Sequence, residues 1–363
     1  MASVPARWAR DIWRGRGAAA RILWLLLWPW SLVYRAVIGL RNLLYDVGVL
    51  RSRRLPVPVV CVGNLTVGGT GKTPTVLWLS QALRQRGLGT TILTRGYGGA
   101  GTAAVIEPED AGKWLDEAAG RLLVYGDEPA MMSALYGQRV GVGADRYRVG
   151  LESGRDPLKA HLFVLDDGFQ HRRLERDLDI VLVGSDCEGS LLPAGPFREP
   201  VRALRRARVV VVTGAHDRWR KRLERRFDSS RVFFGNRRPR AVLMRTESGH
   251  RELTLAALAG ARVLAVAAIG DPAPFYAMLR ECEAVVVDTL EYPDHHTYTE
   301  GDWRKINRRP AEKIVTTEKD YVKLARFPFS TGRLLALRIE MVVDRPEELL
   351  DCVVEAVRPA AHE

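Results

Sequence analysis

Two stretches of this chain carry residue types that handle phosphate. The first is Gly63-Asn-Leu-Thr-Val-Gly68-Gly69-Thr70-Gly71-Lys72-Thr73, which follows an apolar run, Pro56 to Val62, and precedes a helical pattern, Thr75 to Gln85. Glycines let backbone N–H groups turn inward around a phosphate, and a helix N-terminus adds partial positive charge. Gly68, Gly69, Thr70 and Gly71 would form the cradle, Lys72 would reach the β- and γ-phosphates, and the Thr73 hydroxyl suits Mg²⁺. The usual spacing G-x-x-x-x-G-K-[ST] puts a glycine at position 66, which is Thr66 here, so the turn is expected at Gly68 and Gly69. The plain alternative is a glycine-rich turn with an incidental Lys-Thr; its placement between strand and helix favours a site for ATP or GTP.

The second stretch is His161-Leu-Phe-Val-Leu-Asp166-Asp167-Gly-Phe-Gln170-His171, an apolar strand ending in two acids. Such a carboxylate holds Mg²⁺ directly or through water. Alone it also fits a surface turn. In a parallel α/β sheet both stretches would end at strand C-termini, where ligands bind.

The elements that must position these groups read as short β-branched runs alternating with helical patterns. Strands are expected at Pro56–Val62, Thr90–Leu93, Leu162–Leu165, Asp179–Val183 and Val209–Thr213, with a helix over Glu128–Tyr136. A second set runs through Arg262–Ile269, a helix at Pro274–Cys282, then Ala284–Asp288, Lys313–Thr317 and Leu334–Val343. The fold expected is α/β: a P-loop-type parallel sheet domain over 46–235 and a smaller α/β domain over 236–363. Phe234 to Arg240 is the expected linker.

Of 363 residues, 55 are Lys or Arg against 43 acids, and the net charge of +12 points to an anionic partner. Residues 1–54 hold ten arginines against only Asp11 and Asp46, and five of the nine tryptophans fall in the first 30 residues. Between Arg21 and Arg35 lie 13 uncharged residues, short of a membrane span and interrupted by Pro29. Indoles favour the headgroup level and arginines favour lipid phosphates, so residues 1–45 read as an interfacial helix or shallow hairpin. A signal peptide shares the charged-then-apolar order, but no small-x-small cleavage site follows. No nucleic-acid recognition module accompanies the basic charge. The four cysteines show no metal or redox spacing and fit a reducing compartment. The basic run from Arg202 to Arg226 reads as a solvated helix face or as an extension of the membrane or phosphate surface.

The order GNLTVGGTGKTP (63–74), TRGYGG (94–99), GDEPAMM (126–132), DDGFQHRRLERDLDIV (166–181), LLPAGPFREP (191–200), PDHHTY (293–298) and VTTEKDYVKL (315–324) resembles the tetraacyldisaccharide 4′-kinase family. The resemblance implies transfer of the ATP γ-phosphate to the 4′-hydroxyl of a lipid A disaccharide 1-phosphate precursor, at the cytoplasmic face of a bacterial inner membrane. It implies ATP and Mg²⁺, a glycolipid substrate and a lipid surface as partners, with no nucleic acid; no obligate protein partner is inferred. It places phosphate contacts on Lys72 and Thr73 and the metal region on Asp166, Asp167, Gln170 and Glu199. Arg95, Tyr97, Arg146, His171 and Arg198 would lie around the nucleotide, and Asp127 with His295 would form a catalytic dyad. In that dyad a carboxylate accepts the proton of the attacking hydroxyl while an imidazole orients it, so Asp127 is expected as the base. From the residues alone, Asp127 could instead cap a helix and Asp294-His295-His296 could be an ordinary loop. The run Thr316-Thr317-Glu318-Lys319-Asp320 suggests a strand-end turn with a helix cap and no chemistry. A P-loop switch that hydrolyses nucleotide to regulate a membrane partner is the rival function; it would turn over ATP without glycolipid.

Overall fold

The computed structural model describes residues 9, 11–13, 17–96, 103–108, 124–155, 161–184, 187, 189–214, 219, 221, 223, 225, 227–246 and 249–358. The chain forms two compact units, each with its own core.

One unit comprises Val4–Thr94, Asp145–Asn236 and Met341–Glu363. Its strands β1 (Val59–Asn64), β2 (Thr90–Thr94), β5 (Leu162–Asp166), β6 (Leu178–Val183), β7 (Val209–Thr213) and the start of β8 (Val232–Thr246) are ordered β8-β7-β6-β1-β5-β2, all parallel. β1, β5, β6 and β7 are buried at every position, which is why they read as unbroken apolar runs rather than alternating ones. β1 begins at Val59, later than the Pro56 expected, since Pro56 and Pro58 have no N–H to give the ladder. Helix α2 (Lys72–Gln85) begins earlier than Thr75 and holds Pro74 in its first turn, where a missing N–H costs nothing.

Helix α1 (Ala18–Asp46) also belongs to this unit. Of the helix or hairpin expected over residues 1–45 it is the helix, 29 residues with Pro29 inside, and its apolar stretch runs longer than the 13 residues between Arg21 and Arg35. The apolar character continues past Arg35 through Val37, Leu40 and Leu43, so the helix is long and apolar enough to cross a membrane by length and composition. Ile22, Leu25, Leu26, Trp28, Trp30, Val33 and Val37 are all exposed, and only Ser31 is buried. Its polar side is bonded to the unit. The Ser31 hydroxyl donates to the Leu191 carbonyl (2.9 Å) and accepts from the Ala194 N–H (3.0 Å), and the Tyr34 hydroxyl donates to the Arg198 carbonyl (3.0 Å).

The second unit contains Arg95–Ala144 and Arg237–Glu340. Its strands run β11 (Val285–Glu291), β10 (Arg262–Ala267), β12 (Lys313–Thr317), β13 (Leu334–Val343), then β8; the first four pair in parallel, and β9 (Gly249–Leu253) is antiparallel to β8. An antiparallel pair joins β3 (Ala104–Ile106) to β4 (Arg139–Val142). The grouping differs from the sequence boundaries. Residues 95–144 join the later unit because α3 (Asp127–Tyr136) packs on α7 (Glu318–Leu324), and the C-terminal α8 (Pro346–Val357) returns to pack on α2, β1 and β6. The stretch expected as a linker is strand: the chain leaves one unit inside β8, between Asn236 and Arg237, and returns inside β13.

Candidate active site

The phosphate-handling residues meet in the first unit. After β1 the chain turns through Gly68 (φ 142°) and Gly71 (φ 90°), which caps α2 in the left-handed conformation that glycine adopts without strain. Gly69 has no such φ, so the turn rests on Gly68 and Gly71 rather than on the Gly68-Gly69 pair expected. Gly63 has a different task. A β-carbon there would stand 2.6 Å from the Phe169 β-carbon and 2.9 Å from its nitrogen, so only glycine lets the turn after β5 close over the end of β1.

That closure brings the two motifs together around Asn64. The Lys72 ammonium donates to Asn64 Oδ1 (3.2 Å) and to the Gly68 carbonyl (3.4 Å), and stands 3.6 Å from Asp167. Asn64 Nδ2 donates to Thr70 Oγ1 (2.9 Å), and Gln170 Nε2 donates to the Asn64 carbonyl (2.9 Å). Arg198 forks onto Asp167 at 2.7 and 3.2 Å and also reaches Asn64 Oδ1. Burial alone would raise the Asp167 carboxyl, but Lys72 and Arg198 outweigh it and hold the group below the ordinary carboxylate range. Asp167 sits at φ 49°, one of three non-glycine residues with positive φ among those described, and such strain persists only where surroundings enforce it. Asp166 ends β5, buried, and accepts from the Thr94 hydroxyl at 3.3 Å.

Several expected residues are placed less centrally. Arg146 is buried at the start of α4 (Arg146–Ser153), and Arg95 is exposed just after β2. Burial first, then Arg146 and Arg176, press the His171 imidazole down to about 4, so it is neutral at physiological pH. Tyr97 lies outside the described residues. Glu199 is fully buried, and its Oε2 accepts from Asn42 of α1 (2.8 Å) and pairs with Arg206 (2.9 Å), with Arg41 at 3.6 Å from Oε1. It is the counter-charge under α1, and its Oε1 is buried without a hydrogen-bond partner, as an oxygen awaiting a cation would be. Among the described residues no group of three or more His, Cys, Asp or Glu could hold a metal by itself. The donor set of Thr73, Asp166 and Gln170 still fits Mg²⁺ held jointly with a nucleotide, because Gln170 Oε1 is buried without a hydrogen-bond partner.

A second cluster forms in the other unit. Gly126 (φ 89°), not Asp127, caps α3, and Asp127 is its first residue. The buried Asp127 carboxylate meets His295 Nδ1 at 2.9 Å through Oδ1 and Lys323 Nζ at 3.2 Å through Oδ2, with Lys319 Nζ at 3.9 Å. Lys319 also bonds Asp294 (2.7 Å) and stands 3.4 Å from His295 Nε2. Burial would raise Asp127, but the His295 hydrogen bond and the two lysines overcome that and hold it ionised well below the usual range. The same hydrogen bond lifts His295 above its ordinary value. The adjacent histidines divide their roles. His296 stacks on Tyr292 (4.8 Å) and meets Asp302 (3.1 Å), which closes a capping box with Thr299 and fixes the loop that presents His295 at φ 61°.

Asn64, Lys319 and Lys323 had no chemical role in the sequence reading. Thr317 ends β12 and caps α7, accepting from the Asp320 N–H at 3.2 Å, as the Thr-Thr-Glu-Lys-Asp run suggested. The missed signal is spacing: Lys319 and Lys323 are four apart after a cap, hence on one face. The face is aimed by a buried staple in which the Tyr136 hydroxyl donates to both Glu318 oxygens (2.8 Å each) and Arg338 pairs with Glu318 (3.0 Å).

A mostly parallel sheet with a glycine turn, an inward lysine and an acidic strand end defines an α/β protein with its ligand-handling groups at strand C-termini. Residues 23–358 match the family described as tetraacyldisaccharide-1-P 4′-kinase. A tetraacyldisaccharide 4′-kinase of Syntrophus aciditrophicus (strain SB) is 41% identical over 355 residues, covering 92% of this chain and 93% of that protein. One from Anaeromyxobacter dehalogenans (strain 2CP-1) is 37% identical, covering 98% and 95%. The crystal structure of LpxK from Aquifex aeolicus in complex with ATP superposes with a TM-score of 0.75 at 31% identity, covering 93% of this chain and all of that one. The chain belongs to the tetraacyldisaccharide 4′-kinase family.

Proposed function

We propose that this protein transfers the γ-phosphate of ATP to the 4′-hydroxyl of tetraacyldisaccharide 1-phosphate at a membrane surface, the inner membrane's cytoplasmic face. Within this reading the first unit holds the phosphate donor and the second holds the proton acceptor. Lys72 and the N-terminus of α2 offset charge on the β- and γ-phosphates, while Arg198 and Asn64 fix the Asp167 carboxylate beside them. Bound Mg²⁺, held by Thr73, Asp166 and Gln170 with the nucleotide, would neutralise charge on the transferring group.

The observation that carries the reading is the buried Asp127–His295 bond of 2.9 Å, since activating a sugar hydroxyl needs a base and a nucleotide switch does not. The geometry favours a division of roles inside the pair other than the expected one, with His295 as the base. Both Asp127 oxygens are occupied by donors and its basicity is depressed, whereas His295 Nε2 faces only the Lys319 ammonium and would take the incoming proton. Asp127 would hold the Nδ1–H tautomer and stabilise the imidazolium as it forms, the arrangement of a hydrolytic triad. Lys319, 3.4 Å from Nε2, would lower the proton affinity of the ring.

The test is transfer from γ-labelled ATP to purified tetraacyldisaccharide 1-phosphate in detergent micelles, with and without Mg²⁺. Magnesium-dependent label in the glycolipid is expected. Label appearing only as free phosphate would transfer the assignment to a nucleotide-hydrolysing switch.

A further inference from the structure

Beside the C-terminal half of α1 lies a cavity of about 360 Å³, walled on one side by Leu40, Leu43 and Asp46. On the other side it is walled by Arg202, Arg205 and Arg206, from the 3₁₀ turn Val201–Arg206. None of its lining residues belongs to the phosphate loop, the turn after β5 or the dyad. Charge around it does not balance. Arg205 pairs with Asp46 (2.9 Å), which Arg172 shares (2.8 Å), while Arg206 and Arg41 share Glu199. Arg202 is exposed and has no carboxylate partner among the described residues. Five arginines therefore face two carboxylates. Its guanidinium reaches across the helix at Gly39, where a β-carbon would come within 3.6 Å of Nη2.

We infer that this cavity binds the phosphate of an anionic bilayer phospholipid, with the guanidinium of Arg202 as its main contact and the acyl chains running over Leu40 and Leu43. The inference rests on the membrane-surface reading above and goes further by naming the lipid. Two observations select this occupant. The surplus cationic charge matches a phosphate, which arginine recognises through its planar fork. The apolar wall is continuous with the exposed face of α1 through Val37 and Val33, so the ligand must be anionic and apolar at once.

The experiment is vesicle sedimentation of the full chain, without nucleotide or glycolipid substrate, on phosphatidylglycerol and on phosphatidylcholine vesicles. Wild type is expected to bind the anionic vesicles more tightly. Arg202→Ala should weaken that binding more than tenfold, the scale of a charge-assisted hydrogen bond, and leave phosphatidylcholine binding unchanged. Arg35→Ala, an exposed arginine of α1 outside the cavity, should cost no more than about fivefold, the value of one surface cation. Equal losses for the two variants would mean a diffuse field and overturn the pocket. Equal binding of wild type to both vesicles would overturn it while leaving membrane docking intact, and no binding to either would remove the docking reading itself. Normal vesicle binding by Arg202→Ala with a raised KM for the glycolipid would assign the cavity to the substrate's phosphate instead.

Discussion

At the scale of residues, the proposed chemistry rests on two ionised carboxylates, Asp167 held by Lys72 and Arg198, and Asp127 held by the His295 hydrogen bond with Lys319 and Lys323. Lys72→Ala should abolish transfer, because the phosphates lose their side-chain cation; labelled-ATP assays that retained full activity would sink the phosphate-loop assignment. The dyad makes opposed predictions in pH. His295 must be neutral to accept a proton, so kcat/KM falls as pH drops through its pKa, which the Asp127 hydrogen bond raises. The Asp127→Asn variant removes what raises it, and the acid limb should move to lower pH while kcat drops by about 10²–10⁴. In Lys319→Met the loss is of a charge that lowers it, so the limb should move to higher pH. Identical limbs in the wild type and both variants would show that a different group takes the proton.

The element scale shows why some of this was legible and some was not. β7, β12 and β13 begin and end where the sequence pattern does; β7 is buried throughout, and burial of the middle of β12 and the first half of β13 imposes the same unbroken apolar run. The glycine loop was legible because its chemistry is local, and the Asp127–His295 pair only through resemblance, since 168 residues separate partners that meet by packing. The lysine face of α7 read only as a strand-end turn with a helix cap because its target lies on another helix. Helix α1 was underestimated because Pro29 and Arg35 look like breaks, while its docking is polar and long-range. Glu199 carries that docking. Taking one partner from a buried ionic cluster leaves uncompensated charge, so Glu199→Gln should lower stability by about 3 kcal/mol, read as a reduced urea midpoint in detergent. If Glu199 serves chiefly as a metal ligand, the midpoint will hold and the Mg²⁺ dependence of transfer will change instead.

At the scale of the whole molecule, the chain builds two units with different core residues, and among the described residues it crosses between them in β8 and β13 and near residues 94 and 144. Multi-domain chains commonly depart from a single two-state transition, so the two cores are expected to respond separately to a ligand that binds one of them. ATP contacts assigned to the glycine loop belong to the first core, which includes Cys61, Leu65, Leu165 and Phe169. A ligand that binds one folded unit stabilises it by mass action, about 2.7 kcal/mol at a hundredfold excess over Kd. Hydrogen exchange with ATP but no glycolipid should therefore slow in β1, α2 and β5. It should stay unchanged in β10 and β12, whose Val263, Ala265 and Val315 belong to the other core. Protection spread evenly over both cores would mean that the units unfold as one block, and the division of labour between donor and acceptor halves would lose its thermodynamic basis.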